Sequence, residues 1–407
     1  MESQPFLAGA AGNSPGAPMN EVGRQHQEPI ESFRDALTGG VCLQLTDPAT
    51  HCHHPYFYYR CFTPDGQRML YISHRTGKGQ AYLLDLTTGS STQLTAVDGL
   101  GEFIISLDND GRHLLYSENN RLHRMAIDTF EDTVIYVQEP PFGRQGGVVY
   151  AGYSDDFTQA LVCQTHTDDL VPAGEGWSTF KPQWEKHPRC QLVLVDLLTG
   201  QDRVVHEDAC WLGHPQIRPG DPNTLMFCHE GPPTLIDGRI WTIQADGTDC
   251  KPLVHYNADN PPGTPPVIVT HECFMPDGRV LYTFFPEKWG TDGGLRLYDL
   301  DTDEEIDLGP VSSYSHPSPS PDGRFIAGDE SGGGDQAEKR IWLFDIEQHT
   351  ENAVCVHGSS FAPRSNSTQD AHPHPAFSPD GQRILFTSDR ETGPKGNCIC
   401  YLANLAD

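Results

Sequence analysis

Gln369-Asp-Ala-His372-Pro-His374 places three metal-capable side chains within six residues. In an extended segment His372 and His374 project to the same side, so both imidazoles can reach one ion. The Gln369 amide can add an oxygen. Imidazole with a neutral oxygen and open positions suits a divalent transition ion such as manganese, iron, nickel or zinc. The bland alternative is that His-Pro-His-Pro only stiffens a strand entrance. The residues that follow, Phe377-Ser-Pro-Asp-Gly381, say something different. They read as an apolar strand end running into a turn, and the chain repeats that phrase.

Clean copies are Phe62-Thr-Pro-Asp-Gly66, Leu107-Asp-Asn-Asp-Gly111, Phe274-Met-Pro-Asp-Gly278, Pro319-Ser-Pro-Asp-Gly323 and Phe377-Ser-Pro-Asp-Gly381. Tyr153-Ser-Asp-Asp156 and Ile217-Arg-Pro-Gly-Asp-Pro-Asn223 are degenerate copies, making seven. Each leads into an apolar run, then a third run ending in Asp (81–86, 192–196, 341–345), then a turn and a fourth short strand. Strand, hairpin, strand, turn, strand, turn, strand is a four-stranded antiparallel sheet. One such sheet cannot bury both faces, whereas seven packed radially can. The turn Asp falls at 65, 110 and 155, and again at 277 and 322, the spacing of a propeller blade. Wider gaps at 165–190 and 247–270 read as insertions. The last copy stops after its third strand at 397–402, and residues 41–46 carry the pattern of the missing fourth. The pattern predicts an all-β, single seven-bladed β-propeller over 41–407, its ring closed by an N-terminal strand, with 1–40 as a disordered tail.

That architecture gathers residues far apart in sequence. The first strand of each blade lines the central channel, so residues just before the repeated turns share one rim. His54, His214, His271, His316, His372 and His374 all precede a copy, and His229 closes the second strand of the fourth. His316, in the blade next to His372 and His374, offers a third nitrogen to the same ion.

The formal net charge of -29 argues against nucleic acid and anionic membranes as partners. An anionic ligand would need a local cluster of Arg, His or metal. No apolar run reaches signal-peptide or transmembrane character, which points to a cytoplasmic protein. The twelve cysteines sit mostly in apolar runs without zinc-type pairs and read as buried reduced thiols.

Trp211-Leu-Gly-His-Pro-Gln-Ile-Arg-Pro219, Phe227-Cys-His-Glu-Gly-Pro232, Asp237-Gly-Arg-Ile-Trp241, His271-Glu272 and Gln369-x-x-His-Pro-His-Pro resemble the oligogalacturonate lyase family. The likeness runs from about residue 41 to 402. It implies a seven-bladed, manganese-dependent cytoplasmic enzyme. Such an enzyme splits short, mostly unsaturated galacturonate oligomers by β-elimination, giving a 4-deoxy-5-keto uronate in pectin breakdown. It also implies His316, His372, His374 and Gln369 as metal ligands and His229 as catalytic base. β-Elimination removes the proton on C5, α to a carboxylate, and expels the O4 oxygen. Arg239 is the candidate to grip that carboxylate, since a guanidinium fork matches its geometry, against a reading as a surface ion-pair residue. His271 and His214 read as substrate contacts. The chain departs from the family at Pro233 and at Cys273-Phe274, so a different uronate is an alternative substrate. A non-catalytic Tol-type binding propeller is the alternative from another class, because it shares the Pro-Asp-Gly phrase.

Overall fold

The computed structural model describes residues 21–143, 148–172, 174, 176–236, 238–256, 266–286, 293–331, 338–363 and 371–405. Its strands form seven antiparallel sheets arranged as propeller blades. Blades one to six span 52–93, 106–137, 150–208, 212–252, 267–311 and 318–356. Blade seven spans 376–404 and takes its fourth strand, Val41–Gln44, from the other end of the chain. The pairing Cys42 with Ala403, Leu43 with Leu402 and Gln44 with Tyr401 closes the ring as the repeat predicts.

Local chemistry explains the repeated turn. Thr63 Oγ1 donates to Asp65 Oδ1 at 2.6 Å, and the same oxygen accepts the Gln67 amide at 3.0 Å. Gly66, at φ 64°, then supplies the left-handed residue that returns the chain to the second strand. Ser320 with Asp322 repeats the hydroxyl–carboxylate contact at 2.6 Å, and Ser378 with Asp380 repeats it again. The Asp ending each third strand works similarly: Asp85 Oδ1 accepts the amides of Thr87 and Thr88 at 2.9 and 2.8 Å. These local bonds set register without help from the core.

Residues 21–40 correct one expectation. They are not a tail in the described part: Gln25–Gln27 pairs with the outer strand of blade one, and Glu31–Arg34 pairs with Val41–Gln44. The outer edges of blades one and seven are thereby passed to two short polar strands, which are poor templates for strand addition. The connecting Glu28 is 2 % exposed; its carboxylate accepts from Tyr71 Oη at 2.8 Å and from Arg75. These strands escaped the sequence reading because they are polar and largely solvent-facing, with no apolar run to mark them. The blade-three gap holds a short helix, Phe180–Glu185, between its second and third strands. Among the described residues no helix is long and apolar enough to cross a membrane.

Candidate active site and metal centre

The first strands of blades four and five break register at the same place. Pairing slips between Gly213 and Gln216 in blade four and between Thr270 and Cys273 in blade five. His214 and His271 sit in these bulges with φ of 48° and 54°. A bulge turns a side chain out of the regular alternation, and left-handed backbone at a β-carbon residue costs on the order of 1–3 kcal/mol. His374, before the first strand of blade seven, has φ 47°. Strained histidines thus converge from three blades on one end of the channel.

His316, His372 and His374 bring ring nitrogens within 4.8 Å of one another. Ligand atoms of one ion with bonds of about 2.1 Å stand no more than roughly 4.2 Å apart, so the triad would draw in to share one ion. The donor set is prepared for this. Asp329 accepts from His316 Nδ1 at 2.8 Å and from its backbone amide at 2.7 Å, leaving Nε2 as the lone-pair nitrogen. His372 Nδ1 is buried without a hydrogen-bond partner among the described residues. Burial, then the nearby His316, lowers His372 to about 3 and His374 well below its ordinary value. Both rings are therefore neutral near pH 7, the form that ligates. The fourth expected ligand, Gln369, lies outside the described residues.

Above the triad opens a cavity of about 950 Å³. His214, Arg239, His271, His316 and His372 all line it. The His271 ring is 4.5 Å from that of His316, centroid to centroid. Burial, then the neighbouring His316, holds His271 well below its ordinary pKa and so neutral.

Arg239 is no surface residue. It is 7 % exposed, with Nη1 donating to Glu230 at 3.2 Å and Nε to Glu272 at 3.1 Å. His214 bridges the same carboxylates, Nε2 at 3.1 Å from Glu230 and Nδ1 at 3.3 Å from Glu272. Burial alone would raise both acids, but Arg239 and His214 hold them below the usual carboxylate range. The fork expected to grip a ligand carboxylate is thus already turned toward two protein carboxylates, beside the cavity.

His229 is placed differently from expectation. Strand alternation sends Cys228 and Glu230 to one side, where Sγ donates to Oε1 at 3.4 Å, and His229 to the other. There it stacks on Trp241 (4.5 Å, 27°), with Nε2 3.2 Å from Asp208 of blade three. Among the described cavity-lining residues Glu230 appears and His229 does not. The sequence reading also passed over Asp329, Glu230, Glu272 and the helix residues Phe180 and Lys181, which reach the cavity from the blade-three insertion. Glu230 and Glu272 stood inside the quoted motifs, each directly after a histidine; Asp329 and Lys181 carried no local signal.

Comparisons with known proteins bear on the family. The family model described as oligogalacturonate lyase matches residues 21–407. The oligogalacturonide lyase of Pectobacterium atrosepticum is 33% identical over 389 residues, covering 93% of this chain and 96% of its own. The oligogalacturonate lyase of Dickeya dadantii matches to the same extent. A solved oligogalacturonate lyase in complex with manganese is 33% identical with a TM-score of 0.86, covering 95% of this chain and 98% of that one. The shared ring of seven blades and a match over nearly the whole length leave one assignment: this chain belongs to the oligogalacturonate lyase family.

Proposed function

We propose that the cavity cleaves short galacturonate oligomers by metal-assisted β-elimination, with His316, His372, His374 and Gln369 holding manganese. The observation that carries this is the convergence of a three-histidine set, a fourth histidine and a buried arginine on one cavity. Its volume falls within the range of small-ligand sites. When bound, the ion supplies positive charge that offsets the uronate carboxylate and the charge developing on it as C5 loses its proton.

The chain's own residues divide the remaining work. A general base must come within hydrogen-bond reach of the proton it takes. His271 lines the cavity beside the triad and is neutral, so it replaces His229 as the base. Its imidazole takes the C5 proton, and the electron pair left behind forms the C4–C5 double bond as the O4 oxygen leaves. Arg239, with Glu230 and Glu272, forms a rigid polar wall that orients His214 toward the ligand. Lys181, on the helix at the rim and 3.5 Å from Glu185, adds an exposed positive charge for a second uronate carboxylate. Pro233, where this chain departs from its family, also lines the cavity, so the departure acts on ligand fit. Cys273 does not: it is 1 % exposed, and its thiol donates to the Pro317 carbonyl at 3.5 Å. The twelve cysteines are all free thiols, ten of them buried, which supports a reducing cytoplasmic compartment.

Manganese-loaded protein incubated with di- and trigalacturonate, with products followed by mass, tests the reading. Release of a 4-deoxy-5-keto uronate is expected. No turnover with manganese, cobalt, nickel or iron would sink it.

A further inference from the structure

Blade one carries a second histidine cluster that the site above does not use. His51, His53 and His74 bring ring nitrogens within 4.8 Å of one another. His53 Nε2 and His74 Nε2 each lie 2.9 Å from one oxygen, Glu102 Oε2. The tautomers decide what this arrangement requires. His53 Nδ1 is 3.1 Å from the His54 carbonyl oxygen, which can only accept, so Nδ1 carries the proton. In neutral His53 the Nε2 lone pair then points straight at a carboxylate. That contact is attractive only with a proton between the two groups, on the ring or on the carboxylate, or with a metal ion in its place. The His53 side chain is 1 % exposed, so the pair is shielded from solvent on that side.

The spacing admits either cation: 2.9 Å suits a shared proton, and neighbouring ligands of one ion with bonds of about 2.1 Å can stand about as close. Glu102 reaches the pair because residue 79 is glycine; a β-carbon there would overlap the Glu102 carboxylate. His51 is outside the ligand set, since its Nδ1 accepts the Cys398 amide at 3.0 Å and its proton therefore sits on Nε2. The cluster is open on one side, where the side chains of His74 and Glu102 are 33 % and 27 % exposed. Phe103 stacks on His53 at 4.4 Å and meets His374 edge-on at 6.0 Å, so it stands between this cluster and the triad.

We propose that His53 Nε2, His74 Nε2 and Glu102 form a second site for a divalent first-row metal ion, with water in the remaining positions. Two imidazoles and one carboxylate with open positions suit such an ion. Binding displaces the proton between His53 and Glu102 into solvent, so roughly one proton is released per ion.

Cobalt(II) equivalents retained by the full chain after gel filtration test this, with calorimetry in two buffers to count protons. Wild type is expected to keep two equivalents, the His74→Ala/Glu102→Gln variant one, and His372→Ala one. If wild type keeps one and His372→Ala none, the blade-one site is overturned while the triad stands. If wild type and His372→Ala both keep one and the blade-one variant none, the second site stands and the triad reading fails. A blade-one variant that retains as much cobalt as wild type also overturns the proposal.

Discussion

The Asp329 carboxylate grips His316 twice, at Nδ1 (2.8 Å) and at the backbone amide (2.7 Å), and is itself fully buried. One side chain therefore sets both the ring orientation and the lone-pair nitrogen of a proposed ligand. Loss of such a partner typically weakens metal binding about 10–100-fold. Asp329→Asn should show that loss in manganese titrations followed by electron paramagnetic resonance. Unchanged affinity would remove Asp329 from the metal centre.

The two candidate bases separate experimentally. His271→Ala should lower kcat by about 10²–10⁴-fold while manganese stays bound. His229→Ala should keep most of kcat and lose thermal stability instead, because its ring packs on Trp241 and faces Asp208. The opposite pattern of kcat losses would return the role to His229.

Arg239 governs a pH dependence whose sign reverses on substitution. In the native protein Glu230 and Glu272 are held below the usual carboxylate range despite burial. As pH falls, the unfolded chain takes up protons first, near about 4.3. The pair's stabilisation is thus present above that value and lost progressively below it. In Arg239→Met burial dominates and the carboxylates rise, so stability should fall as pH increases. Removing one partner of a buried pair costs roughly 3–5 kcal/mol. Urea denaturation at about pH 5 and pH 8 checks this, and a variant equally stable at both would refute it.

The strands at 25–34 should matter for stability. Glu28→Ala leaves Arg75, whose side chain is 10 % exposed, without its carboxylate and removes one of the hydrogen-bond partners of the Tyr71 hydroxyl. Calorimetry should show a loss on the order of 3–5 kcal/mol. A chain insensitive to this change would behave as if residues 21–40 were a tail.

Lys181→Ala should raise KM for a trigalacturonate at low salt with little change in kcat, since the lysine offers an exposed charge at the rim. High salt should shrink the difference, because exposed charges are screened within about 10 Å at 0.1 M. Equal KM values at low salt would exclude the contact.

Much of the molecule was legible in the chain because its determinants are local. Thr63-Pro-Asp-Gly66 makes its own hydrogen bonds within a few residues, so every copy announces a hairpin wherever it stands. Ring closure by Val41–Gln44 followed from counting strands, and the spacing of His372 and His374 marked a candidate metal site. What lay beyond local reading was direction. His229 and Glu230 are neighbours in one motif, yet strand alternation puts Glu230 on the cavity and His229 against blade three. His271 reaches the cavity through a bulge that no residue pattern marks. Asp329 finds His316, and Glu102 finds His53 and His74, only across folded backbone. Residue type and spacing announce which chemistry is available, but the facing of each side chain depends on pleat, bulge and blade packing, which are properties of the assembled ring.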